Sequence, residues 1–179
     1  VSKKAQATGT HGAHETQLRR WITVGKPADQ LYALWRDPAT LPQIMAHFAE
    51  VTVINDTEAD WLIKGPLKKS YRWRSRIIEQ QPGVVIAWES LEGASVPNEG
   101  MLQFRPAPGE WGTELTLTLR FNPPGGAIGK KVAALLDLFP KEQLSKALHR
   151  FKSLAETGEI PTLDGQPAGR HSERKDEEA

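Results

Sequence analysis

The side chains that could move a proton are few and scattered. Tyr71, Ser75, Glu79 and His47 are the candidates for an acid or base facing a pocket. A carboxylate among apolar groups has a raised pKa, so Glu79 in that setting could give or take a proton near neutrality. The plainer reading of each is a rim residue satisfied by water. Nucleophilic chemistry has less support. No Gly-x-Ser-x-Gly elbow occurs, and no histidine stands in a recognisable catalytic context. No catalytic residue is assigned.

Metal and phosphate chemistry are not expected. His11 and His14 are spaced as a ligand pair but have no partners nearby, and His47, His149 and His171 share no ligand spacing. The absence of cysteine excludes disulfides, thiolate metal sites and a cysteine nucleophile. The run "PPGGAIGKK" lacks the spacing of a Walker loop, and Lys131 is followed by Val132 rather than Ser or Thr. Its glycines are expected to turn the chain into a helix, with anion binding at the helix start the lesser alternative. No cofactor is expected.

The stretch "SYRWRSRIIE" admits two readings. Aromatics interleaved with arginines suit a surface that stacks bases and grips phosphate. They also suit a strand with one dry and one wet face. The alternation favours the strand: Tyr71, Trp73, Ser75 and Ile77 point one way, and Arg72, Arg74 and Arg76 the other. By the same parity Glu79 joins the dry side. A stacking platform needs aromatics and cations on one exposed face. The arginines are expected on a solvated face, paired across strands with acids such as Glu89 or Glu114. With 23 basic and 22 acidic residues the net charge is only +1, small for a nucleic-acid binder, and no nucleic-acid partner is expected.

The elements that position these residues follow from the same alternation. The 179 residues fit one domain with trailing ends. Residues 1–15 are small and polar and are expected to be disordered, as are residues 159–179; the folded part is placed at 16–158. The stretch from Leu18 to Val24 reads as a strand. A helix follows at "KPADQLYALWRD", stopped by Asp37-Pro38, and a second at "TLPQIMAHF", with Thr40 as its N-cap. Six strands come next, at "EVTVIND", "ADWLIKG", "SYRWRSRIIEQQ", "VVIAWESL", "MLQFRP" and "TELTLTLRF", joined by turns that imply antiparallel hairpins. Leu115, Leu117, Leu119 and Phe121 alternate with Glu114, Thr116, Thr118 and Arg120, and Val84, Ile86 and Trp88 with Val85, Ala87 and Glu89. The sheet should therefore have one apolar and one largely polar face. Ile128, Val132, Leu135 and Phe139 predict a helix. Pro140 opens another, with Leu144, Leu148, Phe151, Leu154 and Ala155 on one stripe and Gly158 as its C′ residue. That last helix spans about 27 Å at 1.5 Å per residue.

A sheet of six or seven strands is wider than one helix, whose diameter is about 10–12 Å. Trp61, Trp73, Trp88, Phe104 and Phe121 either fill the remaining concavity or wall a pocket in it. Sequence leaves both open. No apolar run approaches the ~20 residues of a membrane span, and the N-terminus lacks a signal peptide's apolar core. A cytoplasmic location is expected, including rest on a membrane from that side. The chain starts with Val1, which leaves room for residues upstream.

The order strand, two short helices, six strands and a long helix, together with the phrases "KPADQLYALWRDPATLPQIMAH", "VPNEGMLQFRPAPGEWGTELTLTLRFNPPGGAIGKKVA" and "LHRFKSLAETGEIPT", resembles the START-like (SRPBCC) superfamily. The likeness is to its bacterial polyketide cyclase/dehydrase group, which includes coenzyme Q-binding proteins, and it spans roughly residues 17–165. It implies an α+β helix-grip fold: a curved antiparallel sheet of about seven strands wrapped around a long C-terminal helix, with a deep pocket between them. It implies hydrophobic ligands such as lipids, isoprenoid quinones, sterols or polyketides. The pocket candidates are Trp35, Tyr71, Trp73, Ser75, Trp88, Phe104, Leu119, Phe121, Leu144, Leu148 and Phe151. Binding or carrying a hydrophobic small molecule is the preferred reading. The alternatives are a cyclase or dehydratase with pocket acid/base residues, and an interaction protein using the arginine face on an acidic partner. The basic side of the last helix, with Lys141, Lys146, Arg150 and Lys152, would suit transient contact with a membrane surface.

Overall fold

The computed structural model describes residues 16–121 and 141–161. The expected helix containing Ile128 and Phe139, the glycine run before it, His11, His14, His171 and most of both tails lie outside the described residues.

Seven strands form one antiparallel sheet: β1 (Thr16–Val24), β2 (Glu50–Val53), β3 (Glu58–Lys64), β4 (Ser70–Gln81), β5 (Val85–Ser90), β6 (Asn98–Pro106) and β7 (Thr113–Phe121). Their order is β1-β7-β6-β5-β4-β3-β2. Strands β2 to β7 pair in chain order as a meander, and β1 pairs with β7. The first strand and the second are thus the two edges of the sheet. The chain between them must cross the concave side, and it does so as α1 (Ala28–Arg36) and α2 (Thr40–Met45). The last helix, α3 (Lys141–Thr157), buries Leu144, Ala147, Leu148 and Phe151, and Gly158 follows it in the left-handed conformation at φ 78°.

Alternation gives the sheet its faces. Trp73, Ile86, Leu102, Phe104, Leu115 and Leu117 are buried on the concave side with Leu31, Trp35 and Ile44 of the helices. On the convex side Arg72, Arg74 and Arg76 are exposed. Asp60 faces Arg74 and accepts from its Nε and Nη2 at 2.6 and 2.9 Å, which holds the Asp60 carboxyl below its usual pKa. Arg76 bonds Glu89 at 3.2 Å and Arg120 bonds Glu99 at 3.3 Å, each from a paired position on the next strand. Arg74, Arg76 and Arg120 thus each hold a cross-strand ion pair on this face.

The convex face is largely polar as expected, with Val85, Ala87, Thr116 and Thr118 buried within it. These short side chains sit mid-sheet between longer ones: Thr116 lies between Trp21 and Gln103, and Thr118 between Arg19 and Met101. Thr40 is not the N-cap of α2. It is the first helical residue, and its Oγ1–H donates to Leu34 O at 2.6 Å, tying α2 to the end of α1. Glu79 does not share the face of Trp73 and Ile77. The register slips between Ile77, opposite Trp88, and Glu79, opposite Ala87. The extra residue is a β-bulge, and it puts Glu79 on the convex side and Gln80 on the concave side, both exposed at the strand's end. Gln80 then accepts from the Tyr32 hydroxyl at 3.3 Å.

Candidate functional site

The helices cover the concave face unevenly. Leu148 and Phe151 of α3 are fully buried, and the Phe151 ring meets Trp35 edge-on at 5.1 Å. The helix lies against β1 and α2. That side of the sheet is filled. The other side, under α1 and α2 and over β2 to β5, holds a cavity of about 340 Å³. The hollow expected under the C-terminal helix is therefore displaced toward the β2 edge, and α3 reaches only an inner recess, through Leu144.

The mouth lies between the α1–α2 connection, Arg36 to Pro38, and the β2–β3 turn, Ile54 to Thr57. The turn is stiffened by one side chain. Asn55 Oδ1 accepts from Thr57 N at 2.9 Å, Thr57 Oγ1 at 3.1 Å and Glu58 N at 2.9 Å. Opposite it, Asp37 Oδ1 accepts from Ala39 N at 2.8 Å, which shapes the α1–α2 corner. The two lips are joined by Arg36, whose Nη2–H donates to the Asp56 carbonyl.

Inside, the walls are Trp35, Leu41, Met45, Ala59, Trp61, Ser75, Ile77, Ile86 and Trp88. The polar atom among these walls with a defined role is the Ser75 hydroxyl. It accepts from Trp61 Nε1–H at 2.9 Å and leans on Ala59 O at 3.4 Å. Trp61 stacks on Trp73 with centroids 5.8 Å apart and planes 7° from parallel. Of the ionisable residues around the cavity, Arg36, Asp37 and Asp56 belong to the mouth, while Glu58, at the start of β3, turns its carboxylate to Arg74 on the convex side at 3.9 Å. Behind the cavity lies a recess of about 30 Å³ lined by Phe48, Trp73, Asn98, Leu119, Phe121 and Leu144, among others.

The expected pocket residues thus divide. Trp35, Ser75 and Trp88 line the large cavity, and Trp73, Trp88, Leu119, Phe121 and Leu144 line the recess. Phe104, Leu148 and Phe151 are core, with Phe104 packed on the Tyr32 ring at 5.9 Å. Tyr71 is half-buried and lines neither chamber. Met45, Ile77, Ile86 and the mouth residues were not among the expected pocket residues. Trp61, left open between core and pocket wall, lines the cavity, and its pairing opposite Trp73 puts it on the same face. The mouth had no local signal, because it exists only where two distant turns meet.

Two other candidates are engaged in the fold. His47 Nε2–H donates to Gln143 O at 3.1 Å, between α2 and α3, and its Nδ1 is buried. Burial is the main cause of its lowered pKa; the bond to Gln143 opposes the shift, and the Arg150 and Lys146 charges add to it. Of the basic residues on α3, Arg150 donates to Gln43 O and Lys152 to Thr23 O, each at 2.8 Å. No group of three or more His, Cys, Asp or Glu is placed to hold a metal among the described residues, and no helix there is long and apolar enough to cross a membrane.

A family model described as polyketide cyclase / dehydrase and lipid transport matches residues 24–152. The crystal structure of DR_A0006 from Deinococcus radiodurans is similar at 39% identity and a TM-score of 0.63, over 80% of this chain and 99% of that one. TTHA0849 from Thermus thermophilus superposes with a TM-score of 0.63 at 20% identity, covering 78% of this chain and 97% of that one. The Zhui aromatase/cyclase from a Streptomyces species superposes with a TM-score of 0.57 at 18% identity, covering 81% and 98%. At those identities the last two speak for the helix-grip fold alone. No curated protein matches the sequence.

Proposed function

Because the chain belongs to the polyketide cyclase / dehydrase and lipid transport family, we propose that it binds or carries a hydrophobic small molecule in the cavity between α1–α2 and strands β2 to β5. One observation carries this reading. The depth of the cavity is walled by Trp35, Trp61, Trp88, Ile77 and Ile86, with its serine hydroxyl already bonded, while the charges stay at the mouth. Such a site rewards apolar surface and offers a polar tail a place at the entrance. A lipid, an isoprenoid quinone such as coenzyme Q and a polyketide-like ring system all meet that description. Transient contact with a membrane surface would rest on Lys141 and Lys146, the exposed cations of α3.

The test is native mass spectrometry of gently purified protein, followed by organic extraction. A copurified apolar compound is the expected result. Protein free of such a compound that also fails to take up naphthalene- or alkyl-based probes would refute the reading. The second reading, a cyclase or dehydratase, is favoured by the family's description and by Arg36 and Asp56 beside the cavity. It requires turnover that Arg36→Ala or Asp56→Asn abolishes while ligand binding persists. The arginine face offers less to an acidic partner, since Arg74 and Arg76 already hold Asp60 and Glu89.

A further inference from the structure

The large cavity and the recess behind it share three wall residues, Met45, Trp61 and Trp88. These side chains are the partition between the chambers, and they are held differently. Met45 is buried at the end of α2. Trp61 is fixed twice, by its hydrogen bond to Ser75 and by its stack on Trp73. Trp88 is only half-buried, and among the described residues its indole N–H has no hydrogen-bond partner.

What holds Trp88 is a seat. It pairs with Gly100 on β6, and its indole lies over that residue. A Cβ at position 100 would stand 2.3 Å from Cε2 and Cζ2 of the indole and 2.6 Å from Nε1. No side chain fits there. The backbone of Gly100 is not in the left-handed region, so glycine is needed for the space and not for the dihedral.

We propose that Trp88, seated on Gly100, sets the size of ligand the cavity accepts. The inference rests on the cavity's being a hydrophobic-ligand site. An apolar cavity of about 150 Å³ takes one benzene. The 340 Å³ of the outer chamber is a little more than twice that, which suits a flat molecule of two or three fused rings. The 30 Å³ of the recess has room for about one water. A fourth ring gains buried surface only when the indole leaves its seat and joins the chambers.

The experiment uses the full chain and the hydroxymethyl derivatives of naphthalene, anthracene and tetracene, with dissociation constants from calorimetry. In the native protein affinity should rise from two rings to three and change by less than about threefold at four. In Trp88→Ala the four-ring compound should bind at least tenfold tighter than in the native protein, and the two-ring compound more weakly. Gly100→Ala should weaken the two-ring compound by about fivefold or more, because the displaced indole intrudes on the outer chamber. The double variant should behave as Trp88→Ala alone, since the new methyl has nothing left to strike. Thermal melts check that each variant folds; if Trp88→Ala does not, Trp88→Phe replaces it. An unchanged ring-size preference on losing the indole, or an effect of Gly100→Ala that persists without Trp88, overturns the inference while leaving ligand binding intact. A native protein that binds none of the three compounds overturns both.

Discussion

Phe151→Ala tests whether the C-terminal helix is held by a filled core rather than lying over a hollow. The side chain is fully buried and meets Trp35 edge-on at 5.1 Å, with Leu144, Ala147 and Leu148 buried along the same helix. Removing a buried phenyl ring costs about 3–5 kcal/mol when its surroundings cannot collapse. A folded domain has only about 5–15 kcal/mol in total. For a chain of this size each kcal/mol lowers the Tm by about 2–4 °C, so a fall of about 6–20 °C is expected. Guanidinium unfolding should show the same loss as a lower midpoint with an unchanged slope. Trp111→Ala is the control: that indole is 76% exposed, and its removal should change stability by no more than about 0.5 kcal/mol. The ring-size preference of the cavity should survive Phe151→Ala, because Phe151 lines neither chamber. A loss below about 1 kcal/mol, or a changed ligand preference, would mean that the hollow extends under the helix and that the division of the concave face is wrong.

Arg36→Ala removes the hydrogen bond that joins the two lips of the mouth, so ligand should leave at least several times faster in stopped-flow displacement with little change in Tm. Glu79→Gln should leave ligand binding unchanged and stability within about 0.5 kcal/mol, since the bulge puts this carboxylate in solvent; a binding defect would restore it to the cavity. His47 has a lowered pKa in the fold, so the unfolded chain binds its proton more readily. Its contribution to stability is full above the ordinary value of 6.5 and is lost as pH falls below it. His47→Gln should flatten the fall in Tm between pH 7 and 5, and an unchanged slope would remove His47 from the α2–α3 contact.

How far the sequence reached can be judged residue by residue. Alternation in β4, β5 and β7 was enough to place the concave face, because a period of two leaves no choice once one side is apolar. The arginine face was legible for the same reason, and Arg76 opposite Glu89 is the pairing that alternation implies. The bulge was not legible from parity, although its trace is present: Ile77 and Ile78 are two apolar residues in succession within an otherwise alternating strand. Ile78 is 54% exposed, so the second isoleucine is the misfit that a bulge would explain. The separation of core from cavity was beyond reach. Phe104 and Trp88 both point to the concave side, and what decides which is packed and which is a wall is that Tyr32 of α1 meets Phe104 at 5.9 Å while the cavity opens over Trp88.

The hollow survives because two of the indoles bounding it, Trp61 and Trp88, are held flat. Trp88 lies over Gly100, where a single methyl would collide with it. Trp61 reaches toward Ser75, bonds its hydroxyl, and stays parallel to Trp73. With a larger residue at position 100, Trp88 would be pushed upright from the sheet toward the space beneath α1 and α2. Over glycine it lies on the neighbouring strand and becomes a floor, and Trp61, directly opposite Trp73, is kept flat by that stack and by its diagonal bond to Ser75. The same side chains that could have completed a core therefore line a cavity, and the residues that decide between the two outcomes are the small ones, Gly100 and Ser75.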